Sequence, residues 1–289
     1  KFVDVTERII PELLNYYMVT DAVWVDYDNN STLDLVITNE WGNIDFFKNN
    51  NGNFLNVSEQ IGSGSSKGWW FCLNANDIDD DGDIDILAGN LGLNYKYRAS
   101  LEEPFHMYLN DFDNNNSKDI VLAYHQENKL FPLRGRECSS NQMPFIKEKF
   151  QTYDSYGKAE LIDVYGDGLE NAQHFIATNF SSGIFKNNKG QFEFEPFDIS
   201  AQISSINEMI VFDFDEDGFK DVLLFGNLYA SEVETTRNDA SYGHYLKGDG
   251  KGNFTVIPAN ESGLFVKGDV KNAALIHLGN KRKNKLAIL

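Results

Sequence analysis

The segment Asp77-Ile78-Asp79-Asp80-Asp81-Gly82-Asp83-Ile84-Asp85, followed by Ile86-Leu87-Ala88-Gly89-Asn90, decides how the chain is read. Its pattern, D-x-D-x-[DN]-x-x-x-D and then an apolar run, recurs three times. Asp26-Tyr27-Asp28-Asn29-Asn30-Ser31-Thr32-Leu33-Asp34 precedes Leu35-Val36-Ile37. Asp111-Phe112-Asp113-Asn114-Asn115-Asn116-Ser117-Lys118-Asp119 precedes Ile120-Val121-Leu122. Asp213-Phe214-Asp215-Glu216-Asp217-Gly218-Phe219-Lys220-Asp221 precedes Val222-Leu223-Leu224. These loops hold 17 of the 44 acidic residues, so the charge is bunched and not spread over the surface. Carboxylates packed this densely repel one another unless a cation sits among them.

Oxygen ligands at alternating positions of a tight loop suit Ca²⁺. Side chains one, three and five converge, the carbonyl of position seven joins them, and the acid at position nine closes the shell. The expected ligand sets are Asp26, Asp28, Asn30, Thr32 and Asp34; Asp77, Asp79, Asp81, Asp83 and Asp85; Asp111, Asp113, Asn115, Ser117 and Asp119; and Asp213, Asp215, Asp217, Phe219 and Asp221. Zinc would call for His or Cys, which the loops lack. Gly82 and Gly218 at position six permit a left-handed turn; Asn116 tolerates it and Ser31 less so. On charge count and glycine, the Asp77 and Asp213 loops should bind tightest. An EF-hand would need a Glu at position twelve and flanking helices. Position twelve here is Ile37, Ala88, Leu122 or Leu224, and the flanks, such as Ala22-Val23-Trp24-Val25 and Met209-Ile210-Val211-Phe212, are strand-like.

Turns with Asn and Gly at the tip, between aromatic strands, follow several loops. They are Phe46-Phe47-Lys48-Asn49-Asn50-Asn51-Gly52-Asn53-Phe54, Ile184 to Phe192, and Tyr245 to Phe254. Strand, acidic loop, strand and hairpin make a unit of about four antiparallel strands. The first two loops start 51 residues apart, near one propeller blade. The expected fold is all-β: a β-propeller of four-stranded antiparallel blades, about five to seven and incomplete as given, in a single domain over 1–289. Spacing departs from this after Asp77: the next loop starts 34 residues on, and the last 102 beyond that. Residues 133–173 read as a helical insertion within a blade, with Lys158-Ala159-Glu160-Leu161-Ile162 at helical spacing. At the end of the chain Ala274-Leu275-Ile276-His277 and Lys285-Leu286-Ala287-Ile288-Leu289 flank a basic turn, Lys281 to Lys285, where the acids would stand.

Composition narrows the function. The 289 residues carry a formal charge of −19, which repels phosphate backbones and leaves nucleic acid a poor partner. No apolar run is long enough to be a transmembrane segment. No signal-peptide pattern opens Lys1-Phe2-Val3-Asp4, so the chain reads as a piece of a longer one. Cys72 is expected as a buried thiol, with a bridge to Cys138 as the alternative. His106, His125, His174, His244 and His277 are scattered, and no hydrolase, zinc-protease or P-loop motif accompanies them. Trp69-Trp70 reads as half core and half rim, with a sugar-stacking platform as the alternative.

The four acidic loops at Asp26, Asp77, Asp111 and Asp213, the Asn-Asn-x-Gly-x-Phe turns and the opening Phe2-Val3-Asp4-Val5-Thr6 resemble the FG-GAP/VCBS repeat family of integrin-alpha-like β-propellers. Gly68-Trp69-Trp70-Phe71, Gly89-Asn90-Leu91-Gly92-Leu93-Asn94 and Asp239-Ala240-Ser241-Tyr242-Gly243 look like the C-terminal part of large Bacteroidetes-type VCBS-repeat surface proteins. The resemblance implies export to the envelope or beyond, and no particular reaction. The expected function is a non-catalytic, calcium-stabilised binding or scaffold module, extracellular, at the cell surface or periplasmic, with about four Ca²⁺ sites. It would recognise a protein or glycan through the segment from Arg134 or the loop Tyr229–Tyr242. The alternative is a polysaccharide lyase or hydrolase on the same scaffold, and a third reading is a purely structural part of a larger surface assembly.

Overall fold

The computed structural model describes residues 3–232, 234–278 and 283–288. The chain divides into two compact units, one of 1–96 with 180–289 and one of 97–179.

The first unit opens with an antiparallel meander. β1 (Met18–Val25), β2 (Asp34–Gly42), β3 (Asp45–Asn50) and β4 (Asn53–Asn56) pair in chain order. The acidic loop from Asp26 joins β1 to β2. Asn51 and Gly52, with φ of 55° and 90°, make the two-residue hairpin between β3 and β4. Register places Val23, Val36 and Phe46 on one face and Trp24, Leu35 and Phe47 on the other. β5 (Gly68–Trp69) pairs with the end of β2. β6 (Cys72–Asn76) and β7 (Asp85–Gly89) begin a second sheet across the Asp77 loop. That sheet is left half-built when the chain departs at Lys96.

The second unit is a four-stranded antiparallel sheet of its own. β8 (Phe105–Asn110), β9 (Asp119–Gln126), β10 (Lys129–Pro132) and β11 (Gln173–Ala177) lie in the order β10-β9-β8-β11. The Asp111 loop joins β8 to β9. Short helices at Arg136–Gln142, Phe145–Lys149, Tyr153–Gly157 and Leu161–Tyr165 connect β10 to β11. Met143, Ile146, Tyr156, Leu161 and Val164 from this helical stretch bury against Tyr108, Val121 and Ala123 of the sheet.

The chain then returns and completes the interrupted sheet. β12 (Gly183–Asn188) pairs with β7, and β13 (Gln191–Pro196) follows it across the turn Lys189-Gly190. The uneven loop spacing has this cause. Without the 83 residues of 97–179, Asp213 stands 53 residues after Asp77, against the 51 between the first two loops. The helices expected within 133–173 lie inside this larger unit, which carries a sheet and an acidic loop of its own. β14 (Ile206–Phe212), β15 (Asp221–Gly226), β16 (His244–Gly248) and β17 (Phe254–Ile257) form the third meander of the first unit. β18 (Ala273–Leu278) pairs with β19 (Lys283–Ile288). The basic turn expected from Lys281 begins outside the described residues.

Sheets of the first unit stack face to face. Val25, Val36 and Phe46 meet Trp70, Ile86 and Phe185 between the first and second sheets. Leu87 and Ile184 meet Ile206, Met209, Val222 and Leu224 between the second and third. Phe225 and Ile210 meet Ala273 of β18. The first strands β1, β6 and β14 are neighbours. Four-stranded antiparallel sheets packed in this way give an all-β, propeller-like fold. Packing is close enough that a Cβ on Gly226 would sit 1.8 Å from the Ser205 carbonyl. Trp70 is fully buried against Phe185 and Phe194, so it has no face to offer a sugar. Trp69 is packed edge-on to Trp41 and Phe180. Cys72 and Cys138 are thiols and not a disulfide. Among the described residues no helix is long and apolar enough to cross a membrane.

Candidate metal centres

All four acidic loops share one backbone form. Position six is left-handed in each: Ser31, Gly82, Asn116 and Gly218, with φ of 69°, 94°, 68° and 94°. Position four is left-handed too, at Asn29, Asp80, Asn114 and Glu216, with φ of 56° to 62°. Position one locks this turn. The position-six N–H donates to its carboxylate at 2.8–3.1 Å in every loop, and the position-five N–H does so for Asp26, Asp111 and Asp213. Position five accepts from the N–H of position seven, through Asn30, Asp81, Asn115 and Asp217 at 2.7–2.9 Å.

Position nine is a strut. Asp34, Asp85, Asp119 and Asp221 are buried at the start of the second strand of their sheets. The N–H groups of Ile78, Phe112 and Phe214 donate to Asp85, Asp119 and Asp221 across the loop. The other oxygen receives the third strand, by the N–H of Asn49 to Asp34, Asn187 to Asp85 and Gly248 to Asp221. In the second unit Gln142 Nε2 donates to Asp119 Oδ1 instead, at 3.1 Å. The sequence reading missed Gln142, since its place depends on how the helical stretch folds back.

These contacts draw the acids together. One carboxylate oxygen each from Asp26, Asp28 and Asp34 lies within 4.8 Å of the others. The same holds for Asp77, Asp79 and Asp85, for Asp111, Asp113 and Asp119, and for Asp213, Asp215 and Asp221. Asn30, Asp81, Asn115 and Asp217 are committed to the position-seven N–H, and Thr32, Asp83, Ser117 and Phe219 supply that N–H. Each group could hold a metal ion. Burial pushes the Asp85 carboxyl up to about 6, and it also raises Asp34. Asp28 Oδ1, Asp34 Oδ2 and Asp77 Oδ1 are buried with no hydrogen-bond donor. Oxygen-only donor sets with buried, unsatisfied carboxylate oxygens fit a hard divalent cation.

Lysines supply part of the countercharge. Lys48 pairs with Asp28, and Lys247 pairs with Asp215 and, at 2.8 Å, with Asp217. Neighbouring loops of the first unit are also linked. Asn29 Nδ2 donates to Asp83 Oδ1 at 2.9 Å, and Lys220 reaches the Asp77 carbonyl and Asp80.

The shared turn gives a direct expectation. At Gly82 the backbone is left-handed with open space where a Cβ would go, so Gly82→Ala carries only backbone strain. It should cost about 1–2 kcal/mol. Ser31→Gly should return a similar amount to the first loop. Denaturant midpoints of the two variants check both signs.

The histidines correct the sequence reading. They are not all scattered: His106, His125 and His174 meet on the sheet of the second unit. Spacing in the sequence gave no sign of this, because the three come from three strands.

No curated protein matches the chain. Its residues 2–88, which span the first sheet and the first two acidic loops, match the FG-GAP-like repeat, and this supports the FG-GAP family.

Proposed function

We propose that the protein is a calcium-stabilised binding or scaffold module, acting outside the cell, at its surface or in the periplasm, on a protein or glycan partner. The observation that carries this is the fourfold recurrence of three carboxylates within 4.8 Å at the bend between the first two strands of a sheet. Ca²⁺ bound there would supply positive charge and accept oxygen ligands without strict geometry. Asp26, Asp77, Asp111 and Asp213 would hold it by carboxylates that also fix the turn. Asp28, Asp79, Asp113 and Asp215 would add a second carboxylate to each shell, and Asp34, Asp85, Asp119 and Asp221 would tie the ion to the sheet. Position five, at Asn30, Asp81, Asn115 and Asp217, and the carbonyls of Thr32, Asp83, Ser117 and Phe219 would complete it. Millimolar calcium outside cells fills even weak sites of ~10⁻⁴–10⁻³ M.

Such loops would stiffen one end of the sheets and leave recognition to the connections, where insertions carry function. The loop Tyr229–Tyr242 suits this role. It borders a polar cleft of about 300 Å³ lined by Asn94, Tyr95, Thr235, Arg237 and Asp239. The guanidinium of Arg237 lies 4.7 Å over the ring of Tyr229. A glycan array and a surface-protein pull-down, each with the full chain in calcium and in chelator, test the reading. Calcium-dependent capture that falls at least tenfold in Arg237→Ala supports it. Equal capture with and without calcium, or none from either source, contradicts it.

A further inference from the structure

His106 sits on β8, His125 on the neighbouring β9 and His174 on β11, which flanks β8 on the other side. In register, His106 faces Ala123, two residues before His125, and His174 faces Tyr108, two residues after His106. All three imidazoles therefore project from one face of the sheet. His106 Nε2 lies 3.0 Å from His125 Nε2, and His106 Nδ1 lies 2.8 Å from His174 Nε2. His106 is 7% exposed, and its ring is stacked on that of His174 at 7°. His174 is stacked in turn on Tyr108 at 4.2 Å.

Both ring nitrogens of His106 are engaged, so a neutral ring donates from one and accepts at the other. With Nδ1–H donated to His174, the Nε2 lone pair points at His125. An ion ~2.0–2.1 Å from each of two nitrogens 3.0 Å apart would lie beside the line that joins them, so the hydrogen bond between them gives way when it binds. A hydrogen bond from the far ring nitrogen is the usual device for orienting a ligating histidine and raising its basicity. Here an imidazole serves that purpose where a carboxylate or carbonyl more often does.

We propose that His106 Nε2 and His125 Nε2 form a metal site in the second unit, separate from the acidic loops, for a divalent ion that favours imidazole: Zn²⁺, Cu²⁺ or Ni²⁺. His174 is the positioning residue, and water or a ligand from solution fills the remaining coordination positions. On binding, His125 transfers its proton from Nε2 to Nδ1 through solvent, so both Nε2 lone pairs face the ion and no net proton is released from the neutral array. Calcium, which takes oxygen ligands, does not compete. The inference is independent of what fills the acidic loops.

The test uses the full chain in saturating calcium, so that the acidic loops are occupied, with Zn²⁺ and Cu²⁺ as probes. One Zn²⁺ per chain is expected by calorimetric titration. His125→Ala changes a half-buried side chain at the sheet surface and should abolish the site. His174→Phe should keep the ring stack and weaken binding by ~10–100-fold. The Cu²⁺ spectrum of the unaltered chain, which needs no substitution, should show two coordinated imidazole nitrogens. Zinc binding that survives His125→Ala, the lack of any zinc binding, or a copper spectrum with oxygen ligands alone would overturn the proposal.

Discussion

Adding a calcium chelator to the full chain should lower the melting temperature of both units, and the larger unit the more. Three of the four carboxylate groups lie in the first unit and one in the second. An ion that binds only the folded state adds about 2.7 kcal/mol per site at a hundredfold excess over its Kd. Three such sites amount to about 8 kcal/mol. For a unit of this size that corresponds to roughly 15–30 °C, and the one site of the smaller unit to roughly 10–20 °C. Scanning calorimetry in calcium and in chelator reads both. A pH dependence accompanies the shift. Without an ion, burial raises Asp85 to about 6, above its unfolded value of 3.8. The folded state then binds the proton more tightly, and that contribution is present below about pH 4 and is lost as the pH rises through 6. The calcium-free protein should therefore be less stable at pH 7 than at pH 5 as far as this group decides. Calcium, by meeting the ionised carboxylate, should reverse the slope. Identical melting curves in calcium and chelator would remove the reason given for the bunched acids.

Replacing Asp221 by alanine should destabilise the protein by about 3–6 kcal/mol even in chelator. Asp221 is fully buried and accepts hydrogen bonds from Phe214 N–H and Gly248 N–H at 3.0 Å and from Tyr245 O–H at 2.9 Å. Removing it leaves three donors without an acceptor, each at about 1–3 kcal/mol. Asp217 is the comparison. It lies in the same loop on the exposed side, where it accepts from Phe219 N–H and pairs with Lys247. Asp217→Ala should leave the urea midpoint in chelator nearly unchanged and act mainly on calcium affinity. Urea titrations of the two variants, with and without calcium, separate the strut from the ligand. Equal losses from both substitutions in chelator would contradict the division of labour within the loop.

The loops and hairpins could be read from sequence because their chemistry is local. Acids at positions one, three and nine of a loop, or Asn and Gly at a tip between aromatic runs, specify a turn whatever the rest of the chain does. The left-handed position four is only partly marked: Asn29, Asp80 and Asn114 are of the types that tolerate that conformation, but Glu216 is not. The order of strands was harder to read. β7 and β12 pair across the whole second unit, and pairing at that distance is set by buried faces such as Leu87 against Ile184 and not by spacing. The same holds for Gln142 on Asp119 and for the three histidines, each brought in by a different segment. Trp70 shows the limit of composition: an aromatic pair next to a glycine reads as half core and half rim and leaves a platform open, and only packing against Phe185 and Phe194 decides it.

The most direct measurement is a crystal structure of the calcium-loaded chain, with anomalous scattering used to identify the ions. A calcium peak is expected among Asp26, Asp28 and Asp34 and among the matching acids of the other three loops, with oxygen ligands at ~2.3–2.6 Å. Water alone at all four bends, in crystals grown at millimolar calcium, would contradict it.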